Sequence, residues 1–379
     1  MQLRTVLFAL TAVSAATLSI APSASAQQPY GWVANDHVSA YTLAPLEVEL
    51  SGHYLWLDSN VDAFGVRGDV RSANPRLTGA SGELDGQRGA IRVGLWHGLD
   101  VFYQRQDQEL TLELAADERA DIPLLDNRLD TRSTAWGAKW VFYESRFRNR
   151  NQGWESAALE LIREEHRSDD FTGHLQTVHL EDGNSVTFDS PQRFALDRLR
   201  DKRWQARLIY TSAVGSSSNI TTWFSYGEAD ATAGTSASIE LAGVQEAFQQ
   251  SLDIDEKQYS VGFSLNLQGK PRLPVQLSYE YIHVQDRKER VASQHSALVP
   301  GFLRSDNPRS AQDHNHVITA STSWWVTPHM YLGATARVAT KQYTGQVAHF
   351  NNPLTGSLNN ELYSHVEVTF GIRFGGLHR

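Results

Sequence analysis

Residues 362–374 alternate without a break. Val366, Val368, Phe370, Ile372 and Phe374 fall on one face, and His365, Glu367, Thr369, Gly371 and Arg373 on the other. A period of two is that of a strand with one oily and one wet side. Such a strand must hide its oily side, and the same pattern returns along most of the chain. The sequence is therefore committed to a large β structure, and what has to be decided is where the apolar faces go.

The alternation predicts twelve strands: 46–57, 87–96, 99–111, 133–144, 154–165, 203–213, 219–228, 257–267, 274–286, 314–326, 330–342 and 362–374. Their lengths approach the ~9–11 residues a tilted strand needs to cross a bilayer, where ordinary globular strands average ~5–6. Five short connections alternate with six long ones. The longest loop is expected over His166 to Lys202, and the loop Ala229 to Glu256 carries a short amphipathic stretch, Ser238 to Gln250, that reads as a helix. Parity puts Trp136, Ala138, Trp140 and Phe142 opposite Lys139 and Tyr143.

The last strand closes on an aromatic, Phe374. Together with the even strand number and the alternation of short turns with long loops, this resembles the porin-like class of Gram-negative outer-membrane β-barrels. In that class a terminal aromatic helps the barrel-assembly machinery recognise the chain. The sequence departs from the pattern in that Gly375 to Arg379 follow Phe374. The resemblance implies an all-β, transmembrane, antiparallel up-and-down barrel of about twelve strands, with short periplasmic turns and long extracellular loops. It also implies outer-membrane lipid and lipopolysaccharide as surroundings.

Composition agrees. Hydrophobic residues make up 41% of the chain, low for one large dry core, while aromatics reach 10%. A barrel with polar inward and apolar outward residues and aromatics at its interfaces accommodates both figures. Cysteine is absent; a small secreted domain often needs disulfides, whereas a wall closed by hydrogen bonds does not. The formal net charge of -9 speaks against nucleic acid. Arg4, the apolar run Val6 to Leu18 and Ala24-Ser25-Ala26 read as a signal peptide over 1–26. Its apolar run is shorter than the ~20 residues of a spanning helix. Residues 27–45 then form a short periplasmic or barrel-mouth segment before the barrel at 46–379.

Strand parity sorts the charges inward. The bases are Arg88, Arg92, Lys139, Arg203, Arg207, Arg337 and Arg373, and the acids Glu47, Glu49, Asp100, Glu160, Glu164, Glu280 and Glu367. In a wet lumen such groups escape the penalty of a dry interior. Opposed patches would select small hydrophilic solutes; paired across the lumen, they would brace it and narrow it. Gly94, Ser260, Gly262, Ser264, Ser278, Gly333 and Gly371, small and inward, favour a passage. The aromatic belt is expected from Tyr54, Trp56, Trp96, Trp154, Trp204, Tyr259, Trp324, Trp325 and Phe374.

The function read from this is a narrow channel for small polar or charged solutes. The alternative is a non-conducting barrel that presents loops to a partner, and a lipid-modifying enzyme comes third. No convincing set of a His close to a Ser is found on a lipid-facing strand, and the Asn35-Asp36-His37 run stands without a wider motif, so no catalytic set is assigned. His314 and His316 share a strand face near Asp313, but two histidines do not make a metal site. No cofactor is implied.

Overall fold

The computed structural model describes residues 38–58, 80–114, 120–121, 128–146, 154–179, 185–214, 218–241, 244–267, 273–294, 314–340 and 362–376. They form one antiparallel sheet of strands β1 (Glu47–Asp58), β2 (Ala80–Trp96), β3 (Leu99–Leu114), β4 (Ala120–Asp121), β5 (Arg128–Arg146), β6 (Trp154–Ser168) and β7 (Phe171–His179). The second half supplies β8 (Ser185–Val214), β9 (Ser218–Leu241), β10 (Val244–Leu267), β11 (Val275–Gln294), β12 (His314–Thr327), β13 (Met330–Thr340) and β14 (Leu362–Gly375). Twelve of them close into a ring. Each pairs with its neighbour in the chain, and β14 returns to β1 with Val48 opposite Phe374 and Tyr54 opposite Val368. The short β4 and β7 lie off this ring, β7 pairing with the far part of β8.

The apolar faces point outward. Leu46, Tyr54, Trp56, Ile91, Tyr103, Trp136, Leu161, Phe224, Phe263, Ile318 and Phe370 are all exposed, while Glu49, Asp100, Ser225, Asn266 and Glu367 are buried within the ring. The molecule is thus the inverse of a soluble domain: its oily surface wraps a polar interior. At the end where Trp96 turns into Leu99, Gly98 takes φ +77°, the left-handed conformation such a tight hairpin favours.

The opposite end is built differently from what the alternation suggests. Strands β8 to β11 run 30, 24, 24 and 20 residues. The longest expected loop, His166 to Lys202, is largely β7 and the extension of β8. The expected helix Ser238 to Gln250 is instead the arms of the β9–β10 ladder, where Ser238 faces Ala247 and Ser236 faces Gln249. The wall therefore continues well past the length a bilayer needs. Two further corrections concern strand parity, which a β-bulge shifts by one. Between Val141 and Tyr143 the register slips, and Tyr143 becomes exposed beside Phe142. Between Trp325 and Thr327 it slips again. Trp324 is exposed, but Trp325 turns inward against Tyr331, ring centroids 4.9 Å apart.

Of the small inward residues, Ser260, Ser264 and Ser278 line the interior space, while Gly262 and Gly371 are seats for large inward rings. A Cβ added to Gly262 would fall 2.2 Å from Trp223 Cζ2, and one on Gly371 would fall 2.0 Å from Tyr331 Cζ. Gly137 serves Phe102 in the same way, at 2.7 Å from the tip of its ring. Small residues facing large ones are how a narrow barrel fills its taper.

Candidate functional site

Inside the ring, the turn-side end is occupied by the chain's own residues 38–45. Ala40 and Leu43 are buried. Ala40 N donates to Thr211 Oγ1 at 3.0 Å, and Ser156 Oγ donates to the Ala40 carbonyl at 2.8 Å. Leu43 N donates to Asp100 Oδ2 at 3.2 Å, and Arg92 donates to the Tyr41 carbonyl at 3.1 Å. Val38 and Ala40 pack with Val141, Ala158, Ile209 and Trp223 in a small apolar cluster. A segment with no ladder of its own thus has its backbone satisfied by the wall's polar side chains. The sequence alone puts this segment in the periplasm or at the barrel mouth; residues 38–45 form a floor across the barrel.

Above the floor lies a chamber of ≈ 310 Å³. Glu49, Ser51, Arg88, Arg92, Lys139, Glu160, Glu164, Arg203, Arg207, Glu280, Arg337 and Glu367 line it, together with Phe102, Ile162, Trp223, Ile282 and Val317. Every inward charge expected from parity lies on the interior face, and most are engaged with one another. Arg92 binds Asp100 at 2.6 Å, Arg203 binds Glu164 at 2.5 Å, and Arg207 binds Glu160 at 2.9 Å with Lys139 on the other carboxylate oxygen at 3.6 Å. Arg373 pairs with Glu49, and Arg88 with Glu367 at 2.5 Å. Glu47 accepts from Ala44 N at 2.9 Å, and Glu280 from Ser260 Oγ at 2.5 Å and Trp223 Nε1 at 3.3 Å. The bracing arrangement is what forms: alternate salt bridges stitch adjacent strands, and the chamber is what they leave between them.

One constellation was not assembled from the sequence. His53 joins Ser51 (Oγ to Nε2, 2.8 Å), Glu367 (at Nδ1) and Thr369 (Oγ1 to Nδ1, 2.9 Å). Ser51 and His53 were legible as an inward pair on the first strand, but Glu367 stands 314 residues away. Only the closing register of β1 on β14 brings it there.

On the outside, Tyr54, Trp56, Trp96 and Trp324 are exposed. Trp204, Tyr226 and Tyr259 form a chain of rings at 5.4 and 5.2 Å. Phe374 is half-buried at the seam. The side chain of Trp154, like residues 1–37, Asp313 and Tyr343, lies outside the described residues. Trp325 leaves the belt for the interior, where Arg373 stacks on it at 5.0 Å. His314 and His316 face outward, His316 bonded to Tyr279 at 2.8 Å and His314 to Tyr281. Among the described residues no three potential ligands converge on a metal position.

The exterior also carries charge: Asp107 accepts from Arg105 and Arg132, and Glu165 from Arg167 and Arg200.

No family model matches the chain, and no curated protein matches it. Several solved structures do. A mutant of the monoaromatic hydrocarbon channel TodX is 10% identical with a TM-score of 0.43, covering 89% of this chain and 92% of that one. The Ralstonia pickettii toluene transporter TbuX is 8% identical with a TM-score of 0.42, covering 88% and 90%. The Escherichia coli outer-membrane protease OmpT is 10% identical with a TM-score of 0.31, covering 89% and 99%. With TM-scores below 0.5 and such identities, no solute, reaction or family passes from those proteins to this one. Closed antiparallel ring, apolar exterior, aromatic rim and polar interior together define a transmembrane β-barrel of the outer-membrane class.

Proposed function

We propose that the protein is a narrow diffusion channel of the bacterial outer membrane for small polar or charged solutes, constricted at its periplasmic end by residues 38–45. The reading includes export, with 1–26 as the signal peptide and 27–45 as the segment that enters the barrel mouth. The observation that carries it is the chamber: a wall whose inward charges balance and pair still leaves ≈ 310 Å³ of space lined by polar groups. A hydrated path of that size admits small solutes and excludes large ones.

Conductance of the refolded full chain in planar bilayers tests this. Small unitary steps are expected. Their ion preference should follow the Lys139–Glu160–Arg207 cluster. Glu160→Gln leaves two cations without their carboxylate and moves the reversal potential in a KCl gradient toward anion preference. Arg207→Ala moves it the opposite way. Folded protein that stays silent, with and without its floor, discards the channel.

A second reading draws on the tall wall of β8 to β11. A 30-residue strand reaches far beyond the lipid and offers a broad surface to a partner. Binding of cell-surface ligands by a silent barrel would favour it.

A further inference from the structure

We propose that the lumen also holds a serine-hydrolase site, with Ser51 as nucleophile, His53 as general base and Glu367 as the carboxylate that positions the imidazole, acting on small esters that enter the chamber. The arrangement follows from the strand period and the seam. Ser51 and His53 lie two apart on β1, so both point inward. At the seam Leu55 pairs with Glu367 and His53 with Thr369, which sets the carboxylate beside the ring.

His53 Nδ1 meets both Glu367 Oε1, which only accepts, and Arg88 Nη2 at 3.0 Å, which only donates; the proposed relay takes the tautomer whose proton sits on Nδ1, facing the carboxylate. Nε2 then carries its lone pair toward Ser51, whose hydroxyl donates across 2.8 Å. This is the order a nucleophile, a base and an orienting acid require. Thr369 Oγ1 donates to the same carboxylate oxygen at 3.2 Å, and Arg88 pairs with it at 2.5 Å, so Glu367 is held from two more sides.

Placement agrees. Ser51 lines the chamber, while His53 is buried behind it and absent from the lining. Ser51 pairs with Ala90 on β2, between inward Arg88 and Arg92, both of which also line the chamber. The backbone amides near Ser51 serve the ladders to β2 and β14, so an oxyanion there would face these two guanidinium groups, of which Arg92 also holds Asp100 and the Tyr41 carbonyl and Arg88 also holds Glu367.

The step balances. Ser51 Oγ attacks the ester carbonyl carbon, and its proton passes to His53 Nε2. The tetrahedral oxyanion collapses, the ester C–O bond breaks, and the departing alkoxide takes the proton back from His53. Water, deprotonated by His53, then releases the acid and restores Ser51. A chamber of ≈ 310 Å³ limits the substrate to short acyl chains, with Phe102 and Trp223 for an apolar end and charged walls for a polar one.

The test is covalent labelling of the refolded full chain by a short alkyl fluorophosphonate, with the site mapped by mass spectrometry and folding followed by heat-modifiable mobility in gels. Label is expected on Ser51 and not on Ser260 or Ser264, inward serines outside this relay. It should vanish in Ser51→Ala and fall by roughly 10²-fold or more in folded His53→Gln, the scale of a lost general base. Glu367→Gln should shift the pH profile of labelling. Hydrolysis of p-nitrophenyl butyrate should follow the label. Folded wild-type protein that leaves Ser51 unlabelled, or labels the three serines alike, overturns the proposal. If His53→Gln fails to fold, the wild-type labelling pattern alone decides.

Discussion

Replacing Gly94 by valine is expected to expel residues 38–45 and raise the unitary conductance several-fold. A Cβ at position 94 would lie 2.0 Å from the Ala44 carbonyl oxygen, 2.8 Å from its carbon and 3.0 Å from the Leu43 carbonyl oxygen. All three are backbone atoms, so no rotamer relieves the overlap. Strand β2 cannot retreat, because ladders to β1 and β3 hold it on both sides. The segment is the softer party. Polar contacts at Ala40, Tyr41, Leu43 and Ala44 anchor it, each worth about 1 kcal/mol net, and it has no strand partner. A clash against packed backbone exceeds what those contacts return. Chymotrypsin should then cut near Tyr41 in the variant and not in the wild type. A folded Gly94→Val barrel with unchanged conductance and unchanged proteolysis would show that these residues do not form the floor of the pore.

That glycine also illustrates how far a sequence can be read. Gly94, Gly262 and Gly371 were legible as small and inward, because parity is local. What fills the room they leave is not local. Ala44 reaches Gly94 from the preceding segment, Trp223 reaches Gly262 across the β9–β10 pair, and Tyr331 reaches Gly371 across β13–β14. The strands themselves were legible wherever lipid forces one face to be oily. Over Ala229 to Gln250 the sequence shows little apolar contrast between alternate positions, so strand was read there as loop and helix. Trp325 was misplaced for another reason: adjacent residues cannot both face lipid on a regular strand, and the bulge after it carries no composition mark. The charge pairs were half legible. Their inward placement follows from period two, but which acid meets which base depends on register, as Arg207 with Glu160 depends on β6 lying against β8.

The seam between the first and last strands should be the barrel's weakest point when one ion of a buried pair is removed. Arg373 of β14 binds Glu49 of β1, both nearly inaccessible, with side-chain exposures of 8% and 1%. Arg373→Ala leaves Glu49 enclosed without its bound partner and removes the guanidinium stacked on Trp325. Losing one partner of a buried pair costs about 3–5 kcal/mol, and here the loss falls on the joint that closes the ring. Arg132→Ala offers the contrast. It too contacts a carboxylate, Asp107 at 3.0 Å, but both side chains are more than half exposed, and such pairs contribute ~0–1 kcal/mol. Urea unfolding in liposomes, followed by tryptophan fluorescence, should show a large loss for the first and almost none for the second. Pairing Glu49→Gln with Arg373→Met should recover part of the loss, because the enclosed unmatched charge carries most of the cost. Equal effects of Arg373→Ala and Arg132→Ala would mean that the interior water screens the seam as fully as bulk solvent does. The paired charges would then be passengers of a ring closed by its backbone ladder alone.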